Sequence, residues 1–363
     1  MNVLIVGKIN HNNYGDILMV LFMAERIKAN NGNVFLLGAF EFILPQLKAY
    51  NIEAKIIGIT EIDSSIDFSI FTGGGYFAHN LVNGKKWCAN WLKESYFIDA
   101  AKVMKNCNIP YYIYSVEVGP ILNKQMREEV RVIFDEAKEV VCRNIGSVDY
   151  VKNILQFNKC EVGPDMVLSE LSDFHNRHYK NYESLGLNVS CKDTLAIHVT
   201  DKYNGTNFIK RMFRRNIVRA VNSSENYKTV ILFSDNEETT NLDSAFRYLE
   251  KNIEKTTITK RYSDVENLLA LFNSFSSVIT TKLHVGVSGF ALNKSVLCFS
   301  DMPKTRRFYK ENKFEKCLSG FYFSIDFLRY FKIKKFLNER KCQRVNVETN
   351  FYTKKLERVI KEM

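Results

Sequence analysis

A strand-like run, SSVIT, ends at Thr280 and is followed by Thr281-Lys282-Leu283-His284, where the pattern turns helical. The first N–H groups of a helix attract anions. Lys282 and His284 at such a place can hold an anion, and His284 can exchange a proton near neutral pH. A lone histidine can equally be structural.

Three further constellations lie in the first half. In VVCRN, Arg143 ends a strand, and its planar fork suits a carboxylate or phosphate. A structural salt bridge is the competing reading, and Asp165 after the Gly163-Pro164 turn is one acid available for it. In FTGGGYF, Gly73, Gly74 and Gly75 directly follow an apolar run, and glycine lets a backbone approach a ligand closely or make a tight turn. In Asn13-Tyr14-Gly15-Asp16, a polar loop enters a helix, with Asp16 as the expected cap. Glu117, inside the apolar run YSVEV, is expected on an edge strand facing water.

Other candidates carry less. His175 and His178 fall in a polar stretch and are expected at the surface. His198 lies in a strand pattern and is expected to pack. His11 and His79 fall in loops at strand ends. The eight cysteines form no CxxC pair, so reduced thiols are expected and no metal site is.

These residues need elements to position them. Apolar runs VLIVG, NVFLLGAF, AKIIGI, DFSIFTGGG, YYIYSVEVG and EVVCRN alternate with helical patterns. That rhythm predicts a parallel sheet covered by helices. A polar stretch from about 168 to 193 reads as a linker. A second series follows: TLAIHVT, KTVILFS, TTITKRY, SSVITT and SVLCFS. The expected fold is α/β, with two Rossmann-like domains facing across a cleft. Their boundaries are 1–180 and 190–315, followed by a basic, aromatic helical segment at 316–363. Ligands of such sheets bind beyond the carboxyl ends of the strands.

The net charge is +11 over 363 residues, but it is concentrated. Residues 301–363 hold 17 Lys+Arg against 8 Asp+Glu, and Phe208–Val221 adds five basic residues and no acid. The remainder is slightly acidic. Ile209, Met212, Phe213, Ile217 and Val218 among those arginines could form an amphipathic helix on an anionic membrane surface, or a solvated helix face. No nucleic-acid-binding motif accompanies the charge, so nucleic acid is not an expected partner. No apolar run approaches membrane-spanning length and the start reads as a strand, so a cytoplasmic location is expected, with or without peripheral contact at the inner face of the membrane.

Taken in order, NYGD, the GGG segment, VGPIL, CRNIGSVDYV, PDMVL and TTKLHVGVSGFALNKSVLCFSDMPK resemble the polysaccharide pyruvyl transferase family from Val6 to about Lys310. One departure is Lys282, where the family usually has arginine. Charge is kept and bidentate geometry is lost. The resemblance implies a GT-B-like fold. It also implies transfer of pyruvate from phosphoenolpyruvate to a sugar of a cell-surface polysaccharide or its lipid-linked precursor, giving a pyruvate ketal.

That reaction assigns expected roles. Arg143, Lys282 and His284 hold the donor anion, with His284 and Asp16 as catalytic candidates. Asn13, Gly73, Gly74 and Gly75 face the acceptor or shape its loop. Phosphoenolpyruvate is a co-substrate, and no cofactor or metal is expected. A GT-B glycosyltransferase using a nucleotide sugar is the alternative.

Overall fold

The structure is a computed structural model of the 363-residue chain. It describes all residues except 8–12, 40, 78–80, 83–84, 87–95, 186, 204–206, 236–241, 322–325 and 340–346. His11 and His79 lie outside the described residues.

Two compact units are present: Met1–Glu170 with Val347–Met363, and Leu171–Asn346. In the first, the strands are β1 (Asn2–Val6), β2 (Asn33–Leu37), β3 (Ala54–Ile57), β4 (Phe68–Phe77), a small hairpin β5 (Leu81–Val82) and β6 (Lys85–Lys86), then β7 (Tyr111–Val118), β8 (Glu139–Cys142) and β9 (Cys160–Val162). The helices of the chain up to Leu185 are α1 (Tyr14–Ala29), α2 (Ile43–Lys48), α3 (Tyr96–Asn106), α4 (Lys124–Glu136), α5 (Ile145–Asn153), α6 (Met166–Arg177) and α7 (Tyr179–Leu185). The main sheet is parallel, in the order β3-β2-β1-β4-β7-β8-β9.

The second unit holds β10 (Thr194–His198), β11 (Thr229–Phe233), β12 (Thr256–Lys260), β13 (Ser277–Thr280), β14 (Ser295–Phe299) and β15 (Leu318–Ser319). They form a parallel sheet in the order β12-β11-β10-β13-β14-β15. The connecting helices are α8 (Phe208–Asn222), α9 (Asp243–Asn252), α10 (Val265–Leu271), α11 (Leu283–Ala291), α12 (Pro303–Glu311) and α13 (Asp326–Glu339). The last helix, α14 (Phe351–Glu362), belongs to the first unit and packs on α1.

The strand runs are apolar on both faces because both faces are covered. β10 and β14 are buried at every position, and β7 at all but Tyr112. Such runs lack the alternation of half-exposed strands. In both sheets the order reverses direction beside the first strand, at β1/β4 and at β10/β13. That is where open α/β sheets form a ligand crevice.

Three expectations change. The 168–193 stretch does hold the boundary between the units, at Glu170/Leu171, but it is not an irregular linker, because α6 and α7 occupy most of it. Its apolar residues Leu171, Phe174 and Tyr182 are fully buried, so its low apolar content hid a narrow packing stripe. His175 is also buried, with its ring 4.8 Å from that of Tyr182, and His178 lies 4.7 Å from Phe174. The apolar stripe of α8 is not available to a membrane: Phe213, Ile217 and Val218 sit in the second unit's core with Ile333 and Leu337 of α13. Among the described residues, no helix is long and apolar enough to cross a membrane.

Candidate active site

The second unit gathers polar groups at the carboxyl ends of β10, β11 and β13. Thr280 ends β13, and Lys282 takes the N-cap position of α11 without a capping side-chain bond. The Lys282 backbone N–H donates to Thr280 Oγ1 at 3.0 Å. Lys282 Nζ lies 3.4 Å from Asp235 Oδ1, beyond the end of β11. His198, the last residue of β10, places Nε2 3.1 Å from the same oxygen and Nδ1 3.1 Å from Thr280 Oγ1. Thr200 and Thr281 join hydroxyls at 2.8 Å across the reversal point. His284 is half-buried at the second position of α11, within its first turn.

The environment of Asp235 is strongly polarised. Its burial alone would raise its pKa, but the His198 ring and the Lys282 ammonium outweigh that and hold the carboxyl well below the usual carboxylate range. Asp235 therefore carries a full negative charge. Lys282 presents the outward tip of the group, its side chain 42% exposed against 6% for Asp235.

The first unit has a second cluster at its own carboxyl edge. Glu117 is not water-facing: β7 lies between β4 and β8, and Glu117 is buried against the Arg143 guanidinium. Arg143 Nη1 is also 3.6 Å from Asp165 Oδ2. Burial works against the arginine's charge, but Glu117, Asp165 and, more weakly, Asp16 outweigh it and keep the guanidinium charged. Burial pushes the Asp165 carboxyl above its ordinary value despite the nearby arginine. The competing reading of Arg143, a structural ion pair, thus describes its contacts.

The loop into α1 is built differently from expectation. Asn13, not Asp16, is the cap, with Oδ1 accepting from the Gly15 N–H at 3.2 Å. Asp16 is buried in the first turn of α1 and feels the charge of Arg143. The glycines are not a turn after the strand. They lie within β4, which carries an irregularity between Gly74 and Phe77 in its pairing with β7. Gly73 and Gly74 have φ of +54° and +92°, which side-chain-bearing residues avoid. A Cβ at Gly73 would stand 2.0 Å from Met19 Sδ of α1, so this glycine lets the helix seat on the strand. Gly75 opens toward Glu117, whose Oε2 would be 3.7 Å from an added Cβ.

Asp235 and the paired role of His198 are what sequence reading missed. The available signal was an acid directly beyond the strand run VILFS, at the carboxyl edge. A separate cavity of about 230 Å³ opens beside β11 and β12, lined by residues including Phe233, Ser234, Lys260, Arg261 and Tyr262. It includes neither Lys282 nor His284. The charged cluster has the chemistry for anion binding, and the cavity does not enclose it.

The sequence profile of polysaccharide pyruvyl transferases matches residues 13–301, from the Asn13 cap through α11 and β14. The chain belongs to the polysaccharide pyruvyl transferase family. It is thus a transferase, and pyruvyl transfer is that family's reaction. No curated protein matches the chain by sequence. Among solved structures, the UDP-GlcNAc 2-epimerase of Neisseria meningitidis bound to UDP-GlcNAc is similar at a TM-score of 0.62 and 8% identity, over 99% of this chain and 100% of that one. The UDP-GlcNAc 2-epimerase of Methanocaldococcus jannaschii gives 0.61 and 12%, over 100% and 99%. Acinetobacter baumannii MurG gives 0.52 and 10%, over 100% and 99%. At such identities the likeness establishes the fold: this pyruvyl transferase family member has a two-domain α/β architecture of the GT-B kind.

Proposed function

We propose that this protein transfers the pyruvyl group of phosphoenolpyruvate to two hydroxyls of a saccharide, releasing phosphate and forming a cyclic ketal. The observation that carries the reading is the lysine–histidine start of α11 within a chain of this family.

In the reaction the enol carbon of the donor gains a proton, and a sugar hydroxyl gives up its own proton to solvent as its oxygen bonds to the adjacent carbon. The bond to the phosphate oxygen then breaks, and the second hydroxyl closes the ring as its proton leaves. Lys282 and the α11 N-terminus offset the charge of the donor and of the departing phosphate. His284, two residues further on, supplies the proton to the enol carbon. The first unit has the opposite character. Arg143 is already matched by Glu117 and Asp165, so its electrostatic capacity for a further anion is small. Its role is to hold the Glu117 carboxyl group beside Gly75, where its oxygens suit sugar hydroxyls. Asn13, Asp16 and the Gly73–Gly75 backbone shape that same surface. The acceptor is a polysaccharide unit, free or lipid-linked, of the cell envelope, and the reaction belongs on the cytoplasmic side.

The test is incubation with phosphoenolpyruvate and a panel of free and lipid-linked glycosides. Equimolar phosphate release and the mass gain of a pyruvate ketal are expected. Consumption of a nucleotide sugar, with no phosphate from phosphoenolpyruvate, would replace this reading with glycosyl transfer.

A further inference from the structure

We propose that Asp235 and His198 are positioning residues that fix the Lys282 ammonium for the donor, an inference that rests on the functional reading above. The contacts form a closed ring. His198 Nδ1 meets Thr280 Oγ1 at 3.1 Å, and Thr280 Oγ1 accepts the Lys282 N–H at 3.0 Å. The Lys282 side chain returns to Asp235 at 3.4 Å, and Asp235 meets His198 Nε2 at 3.1 Å. Backbone and ammonium of the same lysine therefore both lie against one buried imidazole, by way of a hydrogen bond through Thr280 and a charge contact through Asp235. The hydroxyl pair Thr200–Thr281 ties the exit of β10 to the same loop.

A lysine is a flexible stem with a point charge and lacks the rigid fork of arginine. Holding its tip before the donor arrives reduces the ordering that binding must otherwise impose. Asp235 is an unexpected residue for this purpose if charge alone mattered. A buried carboxylate beside an anion site repels the ligand. Positioning and repulsion therefore predict opposite signs for its removal.

The experiment uses the full chain, with phosphoenolpyruvate affinity measured by calorimetry alongside KM and kcat from phosphate release. Asp235→Asn is expected to weaken phosphoenolpyruvate binding about tenfold, mostly in KM, in protein that has a lower melting temperature but is fully folded at the assay temperature. Lys282→Met weakens it at least as much. In the double variant Asp235→Asn adds nothing to Lys282→Met, because it acts through that lysine. Unchanged or tighter binding in Asp235→Asn, or additive losses in the double variant, overturns the positioning role alone. Wild-type protein that does not bind phosphoenolpyruvate, or Lys282→Met that binds it normally, overturns the functional reading and this inference with it. If Asp235→Asn does not fold, His198→Gln takes its place, with weaker binding expected and unchanged binding overturning the proposal.

Discussion

Arg143 shows how much a residue's neighbours decide. Its charge is fixed by its type, but its contacts with Glu117 and Asp165 make it part of a buried ion network. Removing one partner of such a network strands the others. Arg143→Met is expected to cost about 3–5 kcal/mol of stability, seen as a lower urea midpoint. His284→Ala, at a half-buried position, is expected to abolish phosphate release and leave the urea midpoint within error of wild type. His175 provides a pH signature. Burial, reinforced by the charge of Lys294, depresses it to about 4, from an ordinary value of about 6.5. The unfolded chain then binds this proton more readily than the folded one. Its contribution is complete above about pH 6.5 and is lost as the pH falls toward 4, by up to about 3 kcal/mol. Melting temperature against pH is expected to fall less steeply over that window in His175→Gln than in wild type.

At the scale of elements, helix ends and strand irregularities carry the design. Asn350 precedes α14 in a left-handed conformation and makes no side-chain cap bond. The cap comes instead from α6. Glu170 accepts from the Tyr352 N–H at 2.9 Å and from the Thr353 hydroxyl at 2.7 Å, and Ser169 Oγ donates to it at 2.7 Å. A carboxylate at a helix N-terminus is favoured by the macrodipole, but burial still raises its pKa. Glu170→Ala is expected to cost about 1–3 kcal/mol by chemical denaturation.

At the scale of the molecule, the chain crosses its own unit boundary twice. The final helix returns to the first unit and buries Tyr352, Leu356 and Val359 there. Burying three such side chains contributes on the order of 5 kcal/mol. Truncation after residue 346 is therefore expected to lower the thermal transition of the first unit and leave that of the second in place, which separates the two in calorimetry.

The sequence by itself determined the α/β class, the two parallel sheets and the family. These are local and additive signals: continuous apolar strand runs, a lysine–histidine helix start and short motifs in fixed order. It also placed Lys282 and His284 at the start of α11, because a helix start is legible from a few neighbouring residues. It could not show that His198 meets Thr280, 82 residues away, or that Asp235 meets both His198 and Lys282. Nor could it show that Glu117 turns inward to Arg143, that the glycines continue a strand, or that the stripe of α8 is covered. Those depend on which strands become neighbours and which faces are buried. A contact between residues distant in the chain is fixed by packing, and packing is a property of the folded units.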